Sequence, residues 1–414
     1  MKSEVSTNHA SLSTEQPLMQ NQRFLLLWFA SICSAFAFPM YVLAEQWYVV
    51  KALHASYLLG WVMMATALPR VIFMLLGGVF ADQWSNSKMM AVTSLCRSIL
   101  LIGMLGLLFF HSLNFSWLFV FAILFGLLDA FFWPASESII PHLVSNEQIV
   151  RANSILQTTQ QLSLIIAPII GGWIIYKFQF VGIFIACALL LLISSGFAFR
   201  IQEDEKEVHE KNNLRMELLE GYRYIKNSPF LLGLLAILIV VNFFISGPIS
   251  MGIPLIVDQL LHGDSLALSY LRSAFGMGSL LGAILVGILN IRSKRGPLLF
   301  SILLLIGFFI LLLGEINWLW QGMILLLLIG VGSILINIPL VSMIQEGTET
   351  SKMGRVMSLV MTISIGLMPL SYALCSSLLS SGMTIGYLLV GASCLVILFT
   401  CFAIWKFREV RQLD

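Results

Sequence analysis

Five charged side chains interrupt long apolar runs: Glu45, Arg70, Arg97, Asp129 and Arg272. An apolar run of about 20 residues is the length that crosses a bilayer. A charge inside one costs at least ~2.5–3.5 kcal/mol on insertion scales, which makes each a functional candidate. Glu45 shares a helical face with Tyr41 and Phe38. Counting from Arg23, it lies about 33 Å up its span, near the outer mouth. It is either an entrance carboxylate or a solvated helix end. Asp129 is deeper, roughly 13 Å from the inner edge near Ser138. Phe125, Phe132 and Trp133 are its helical neighbours. Aromatic faces attract cations, and leaving water disfavours a carboxyl's charged form, so the position suits a cation or a proton. The alternative is a structural ion pair with Arg97 or with Arg70. Arg272 lies near the outer end of its run, where a long side chain snorkels.

Adaptable polar groups are the second set. Asn242, Ser246, Asn337 and Ser371 lie within apolar runs and are cavity candidates. Each fits helix–helix hydrogen bonding equally well. The 19 Met and 29 Phe suit a plastic apolar lining.

Positioning these residues takes twelve spans, at about 24–50, 55–80, 89–111, 116–138, 153–176, 180–199, 231–257, 267–291, 298–314, 319–344, 356–379 and 384–405. Six precede a polar stretch and six follow it. The implied organisation is a tail (1–22), a six-helix bundle (23–200), a linker (201–228), a second six-helix bundle (229–406) and a short tail (407–414). In the linker, Leu214, Leu218, Tyr222 and Ile225 recur at helical spacing, the pattern of an amphipathic helix on a membrane surface. Eight prolines (Pro39, Pro69, Pro134, Pro168, Pro248, Pro254, Pro339 and Pro369) lie inside spans, where they kink helices around a cavity or incidentally. Pro134 and Arg151 in the first half are echoed by Pro339 and Arg355 in the second.

Composition agrees. The 414 residues are 58% hydrophobic and 11% charged, against about 25% charged in soluble domains. The fold class is therefore all-α membrane protein. The net charge of +2 implies no nucleic-acid partner. The six cysteines fall in apolar segments without disulfide or metal spacing, and no cofactor is expected. None of the six histidines pairs with a carboxylate at catalytic spacing, which argues against an enzyme. The first twenty residues lack a basic start or cleavage site, so no signal peptide is expected. With the N-terminus inside, 18 of the 23 Lys and Arg fall in inner segments and two, Lys51 and Lys177, in outer ones. That asymmetry predicts both termini in the cytoplasm of a multi-pass cell-membrane protein.

The stretch from Gly77 to Lys88 joins the second and third spans. It resembles the cytoplasmic loop motif of the major facilitator superfamily, G-x-L-a-D-r-x-G-r-K, matching it at Gly78, Asp82 and Lys88 and departing at Gln83, Ser85 and Ser87. A carboxylate there can sit against a helix N-terminus, forming a conformational latch; the partner expected is the start of span 11 near Val356. The segment Ile166 to Gly172 resembles the end of the antiporter motif of drug exporters, with Pro168, Gly171 and Gly172 in place and Ala167 for a glycine. Pro168 bends the helix, and both glycines are expected to allow close approach of the other half. Further segments, among them Phe131 to Ala135, Ile140 to Val144 and Gly354 to Leu359, are similar to the macrolide-efflux and enterobactin-exporter branch, the third drug:proton antiporter family. Related exporters often carry a basic residue near the position of Phe125; this chain has Asp129 nearby instead.

The resemblance implies two pseudo-symmetric six-helix bundles with a site between them at mid-membrane. It implies a monomeric secondary exporter of small amphipathic molecules, drug-like or siderophore-like, coupled to protons. No P-loop pattern occurs, so an ion gradient is the expected energy source. The alternatives are a proton-coupled uptake symporter and a receptor or scaffold built on a transporter fold.

Overall fold

The computed structural model describes residues 17–81, 85–203, 223–226, 228–289 and 295–407, and of 74–81 the backbone. Asp82, residues 290–294, most of both tails and most of the expected linker helix lie outside the described residues. Among those described there is no strand.

Helix α1 (Gln22–Ala52) ends in a π-helical turn, Tyr48–Ala52. Then come α2 (Leu59–Ala81), α3 (Asn86–Phe109) and α4 (Phe115–Ser138). Ile149–Phe199 forms one stretch of 51 residues, but Gln179 has φ 55° and ψ −161°, which splits it into α5 (149–178) and α6 (180–199). The second half holds α7 (Pro229–Gln259, with π-helical Val241–Ser246 inside), α8 (Ser265–Leu289), α9 (Arg295–Leu313), α10 (Leu319–Glu346), α11 (Met353–Ser380) and α12 (Ile385–Lys406). All are long and apolar enough to span a membrane.

Local chemistry sets the ends. Asn21 caps α1, its side chain accepting from the N–H groups of Arg23 and Phe24, and its amide donates to the Leu143 carbonyl at 2.7 Å. That bond ties the start of α1 to the turn after α4. Asn114 caps α4, Ser228 caps α7 and Asp264 caps α8, each satisfying orphan donors of a first turn. Three histidines, His54, His111 and His262, have left-handed φ beyond the ends of α1, α3 and α7, and Gly382 does so beyond α11. These residues stop helices.

Small residues let the helices meet. A Cβ on Gly126 of α4 would strike the Thr66 carbonyl of α2, so the two backbones touch there. That crossing brings Asp129 beside Arg70. The two halves meet through α5 with α8 and α2 with α11. We call the end where α1 starts the near end and the other the far end. Bonds between the halves run from the far end inward. Lys51 pairs with Asp258 at 2.7 Å. The hydroxyls of Ser265 and Ser273 donate to the carbonyls of Gly172 and Ile165 at 3.0 and 2.7 Å, and Ser376 donates to Tyr57 O.

The near end holds a capping contact absent from the sequence expectations. Glu203, just past α6, accepts from the backbone N–H of Asn86 at 2.9 Å and Ser87 at 2.5 Å. Ser85 is the N-cap of the same helix. A carboxylate at a helix N-terminus is stabilised by about 0.3–1 kcal/mol from the dipole, besides its hydrogen bonds. Replacing Glu203 by Ala should therefore loosen the start of α3. At about 1–2 kcal/mol of local opening, the amides of Asn86 and Ser87 should exchange roughly five- to thirty-fold faster. Hydrogen-exchange mass spectrometry checks this; unchanged protection would mean that the cap is idle.

Candidate functional site

A cavity lies between the halves, in two adjoining lobes of about 380 and 350 Å³. Phe38 and Val42 of α1, Ser250 of α7, Arg272 of α8 and Met368 of α11 line both. The first lobe adds Glu45, Gln46, Thr66, Arg70 and Tyr372; the second adds Gln161 and Pro168 of α5. A lobe of this size is within the range of small-molecule pockets.

Glu45 is 1% exposed and faces this cavity. The Tyr41 hydroxyl, one turn below, donates to its Oε1 at 2.7 Å, and Thr66 Oγ1 lies 3.1 and 3.2 Å from its two oxygens. The outer-mouth expectation needs correction, because α1 does not end near Glu45. It continues through its π-helical turn to Ala52 and carries the seal at Lys51, which leaves Glu45 below the seal. Tyr41 is buried and stacks on Phe125, with ring centroids 3.8 Å apart.

Asp129 and Arg97 are both fully buried. Arg97 Nη1 donates to Asp129 Oδ1 at 2.6 Å, and its Nη2 donates to Ser34 Oγ at 3.1 Å. Arg70 Nε is 3.3 Å from Asp129 Oδ2, an ionic contact without hydrogen-bond geometry. Of the two alternatives open for Asp129, the geometry realises the ion pair, with both candidate arginines at once. The rings beside it serve Arg97: its guanidinium stands 5.0 Å from the centroid of Phe132 and 5.7 Å from that of Phe125. Trp133 packs edge-on to Phe132. Arg70 links this group to the cavity. It is one third exposed, lines the first lobe and lies 5.0 Å over the Phe38 ring.

The polar candidates divide. Asn242 is buried and donates to the Leu238 carbonyl of its own helix, while Ser371 is buried and bonds the Phe243 carbonyl. Both serve the widened turn of α7. Ser246 is half-buried in that turn and Asn337 is exposed on α10, and neither belongs to the cavity lining. Pro168 lines the second lobe. The two glycines differ from the expectation of a shared role. A Cβ on Gly172 would lie 2.5 Å from Ser269 Cβ of the other half, whereas one on Gly171 would meet Met40 and Ile183 of its own half at 3.4 Å. Adjacent residues on a helix point about 100° apart, so only one of the pair can face the partner. Gly78 lies in the last turn of α2 as helical backbone, and Lys88 is exposed in the first turn of α3.

Sequence reasoning misread Arg272. It does not snorkel outward; its Nη2 donates to Gln46 Oε1 across the halves and to the Ser250 carbonyl at 3.3 Å. Axial position was readable from the sequence, but the direction of the side chain was not. Thr66 was within reach, since it lies one turn before Arg70 on the same face.

Relatives agree with this architecture. Macrolide efflux protein A of Streptococcus pyogenes is 23% identical over 410 residues, 95% of this chain and 97% of that protein. Enterobactin exporter EntS of Shigella boydii serotype 4 is 26% identical over 316 residues, 73% of this chain and 72% of that protein. The nucleoside transporter NupG matches in fold with TM-score 0.72 at 14% identity, over 95% of this chain and all of that one. The POT family transporter PepTSo matches with TM-score 0.74 at 11% identity, over 95% and 99%. The Major Facilitator Superfamily profile matches residues 27–370, which is most of the chain, and the protein belongs to that superfamily of membrane transporters.

Proposed function

We propose that the protein is a proton-driven exporter of small amphipathic molecules. It works as a monomer by alternating access, in a cell membrane with both termini in the cytoplasm. The observation that carries this reading is Glu45. It is a carboxyl in the cavity between the halves, held by two hydroxyls, with no cation within ion-pair distance among the described residues. A hydroxyl donates to a carboxylate and accepts from a carboxylic acid, so Glu45 keeps its place in either protonation state. A basic group entering from the cytoplasm displaces its proton, and a proton entering from outside displaces the substrate. Such mutual exclusion is the reciprocal linkage an antiporter requires. Each proton moved inward across ~100 mV contributes about 2.3 kcal/mol besides the pH gradient.

Asp129, already neutralised by Arg97 and Arg70, is a charge framework in this reading rather than the coupling group. The excess of basic residues in segments on the near side supports cytoplasmic termini; on that orientation the far-end seal faces outward. The latch of Gly78, Asp82 and Lys88 holds the near end when the cavity turns outward. Export rather than uptake is supported by the names of the relatives, an efflux protein and an exporter.

A susceptibility panel on expressing and deleted cells identifies a transported compound. In proteoliposomes, the parent protein should accumulate that compound under a pH gradient. Glu45→Gln should lose accumulation, and whatever exchange between the two sides it retains at high compound concentration should no longer respond to pH. Full pH-driven accumulation by Glu45→Gln would remove Glu45 from the coupling mechanism.

A further inference from the structure

The charges in the cavity are mismatched in a way the proton scheme leaves unused. Arg272 faces only neutral acceptors, the Gln46 amide oxygen and the Ser250 carbonyl. Its Nε is buried and has no hydrogen-bond partner. Among the described residues no carboxylate lies within ion-pair distance of it. Glu45 stands on the same cavity wall, one residue from Gln46, and faces only neutral donors. Arg272 and Glu45 thus share a cavity without pairing with each other, while Arg70 in the same lobe is already held by Asp129. Burying a charge costs several kcal/mol unless an opposite charge or enough hydrogen bonds offset it. Arg97 and Asp129 meet that demand within the first half. Arg272 and Glu45 do not, so each keeps an unused capacity for an opposite charge, in the space where a substrate would sit.

We propose that the transported molecules are bipolar amphiphiles, whose acidic group pairs with Arg272 and whose basic nitrogen pairs with Glu45. The inference rests on the carrier reading above and narrows its substrate class. A guanidinium favours a planar acid, a carboxylate or phenolate, over a neutral acceptor. Phe38, Val42 and Met368 cover the apolar body between. Because Arg272 belongs to the second half and Glu45 to the first, such a molecule ties the halves together while it is bound.

Three probes with one fluorophore separate the charges: ε-dansyl-lysine is bipolar, its N-acetyl derivative carries only the acid, and its methyl ester carries only the amine. Binding is read from dansyl fluorescence on the purified full chain in nanodiscs. The parent should bind the bipolar probe at least tenfold more tightly than either relative. Arg272→Gln should lose tenfold or more for the bipolar and acid probes and bind the ester as the parent does. Glu45→Gln should lose the bipolar probe and the ester and spare the acid. Arg272→Lys, which keeps the charge but not the planar fork, should recover only part of the affinity that Arg272→Gln loses for the bipolar and acid probes, and its melting curve shows whether the position tolerates change. Equal losses for all three probes in Arg272→Gln, or a parent without preference for the bipolar probe, would overturn the inference. Export of a plain cation such as ethidium, abolished by a protonophore, would in that case leave the exporter reading intact. A parent that neither binds the probes nor exports anything overturns both.

Discussion

Asp129→Asn is expected to destabilise the protein by about 3–5 kcal/mol, the usual cost of stranding one partner of a buried ion pair. Arg97 is 0% exposed and bonds Asp129 at 2.6 Å, with two aromatic rings and a serine filling its remaining surface. The asparagine leaves a full positive charge in a bundle interior. Arg97→Gln alone strands the carboxylate, which retains Arg70 at 3.3 Å and should lose less. The double variant Asp129→Asn with Arg97→Gln should recover most of the stability, giving a coupling energy of opposite sign to the single losses. Melting curves of the four proteins in detergent measure this. The double variant should also keep pH-driven transport, since Glu45 is untouched. Additive losses, or a double variant that folds but cannot use a pH gradient, would return Asp129 to the coupling step.

Gly172→Leu should reduce transport sharply while leaving surface expression near normal. The residue sits where α5 meets α8, and even a Cβ would lie 2.5 Å from Ser269 Cβ and 2.6 Å from the Ser265 carbonyl. Overpacking of this kind costs typically 1–3 kcal/mol. Charged wholly to the far-end-closed state, that lowers its population about five- to hundredfold, at ~1.4 kcal/mol per decade. Bridging of cysteines at positions 51 and 258 by a short bifunctional thiol reagent, where Lys51 and Asp258 now pair at 2.7 Å, should fall in parallel. Gly171→Leu presses on the flexible side chain of Met40 in its own half and should cost less. Equal effects from the two substitutions would show that this stretch of α5 merely packs.

The number and order of the spans were legible because hydropathy and length report on the bilayer and need no tertiary information. Even the break between the fifth and sixth spans, near Lys177 to Gln179, is a sequence feature, and the non-helical backbone of Gln179 makes it with no loop between the two helices. The candidate site was legible only in part. Asp129, Arg97 and Arg70 were recognisable as possible partners, because a charge in a membrane must find another. Which partner, and how many, depended on the Gly126 crossing that sets α2 against α4. Glu45 was identified but its exposure was misjudged, since height along a helix says nothing of the packing that buries it, here under Tyr41 and Thr66 and below the Lys51 seal. Arg272 was misread for a related reason: rise along an axis gives depth, while rotation about it comes from packing. Glu203 was invisible, because a helix cap contributed from 117 residues away leaves no local pattern.

The serine bonds of the seal bear on how strongly transport responds to temperature. Ser265, Ser273 and Ser376 each donate to a carbonyl of the opposite half. When the halves part, Ser273 and Ser376 can rotate onto carbonyls one turn back in their own helices, as Ser377 and Ser380 already do at 2.9 and 2.8 Å. Ser265, at the first position of α8, has no such carbonyl, but it lies at the rim where water reaches it. The abandoned acceptors are helix carbonyls already bonded along their own backbones. Parting the halves therefore exchanges hydrogen bonds instead of discarding them, and the enthalpy of that step is small. The serine bonds thus add little heat to the opening of the seal, so the temperature dependence of turnover should reflect mainly the Lys51–Asp258 pair and the charges in the cavity.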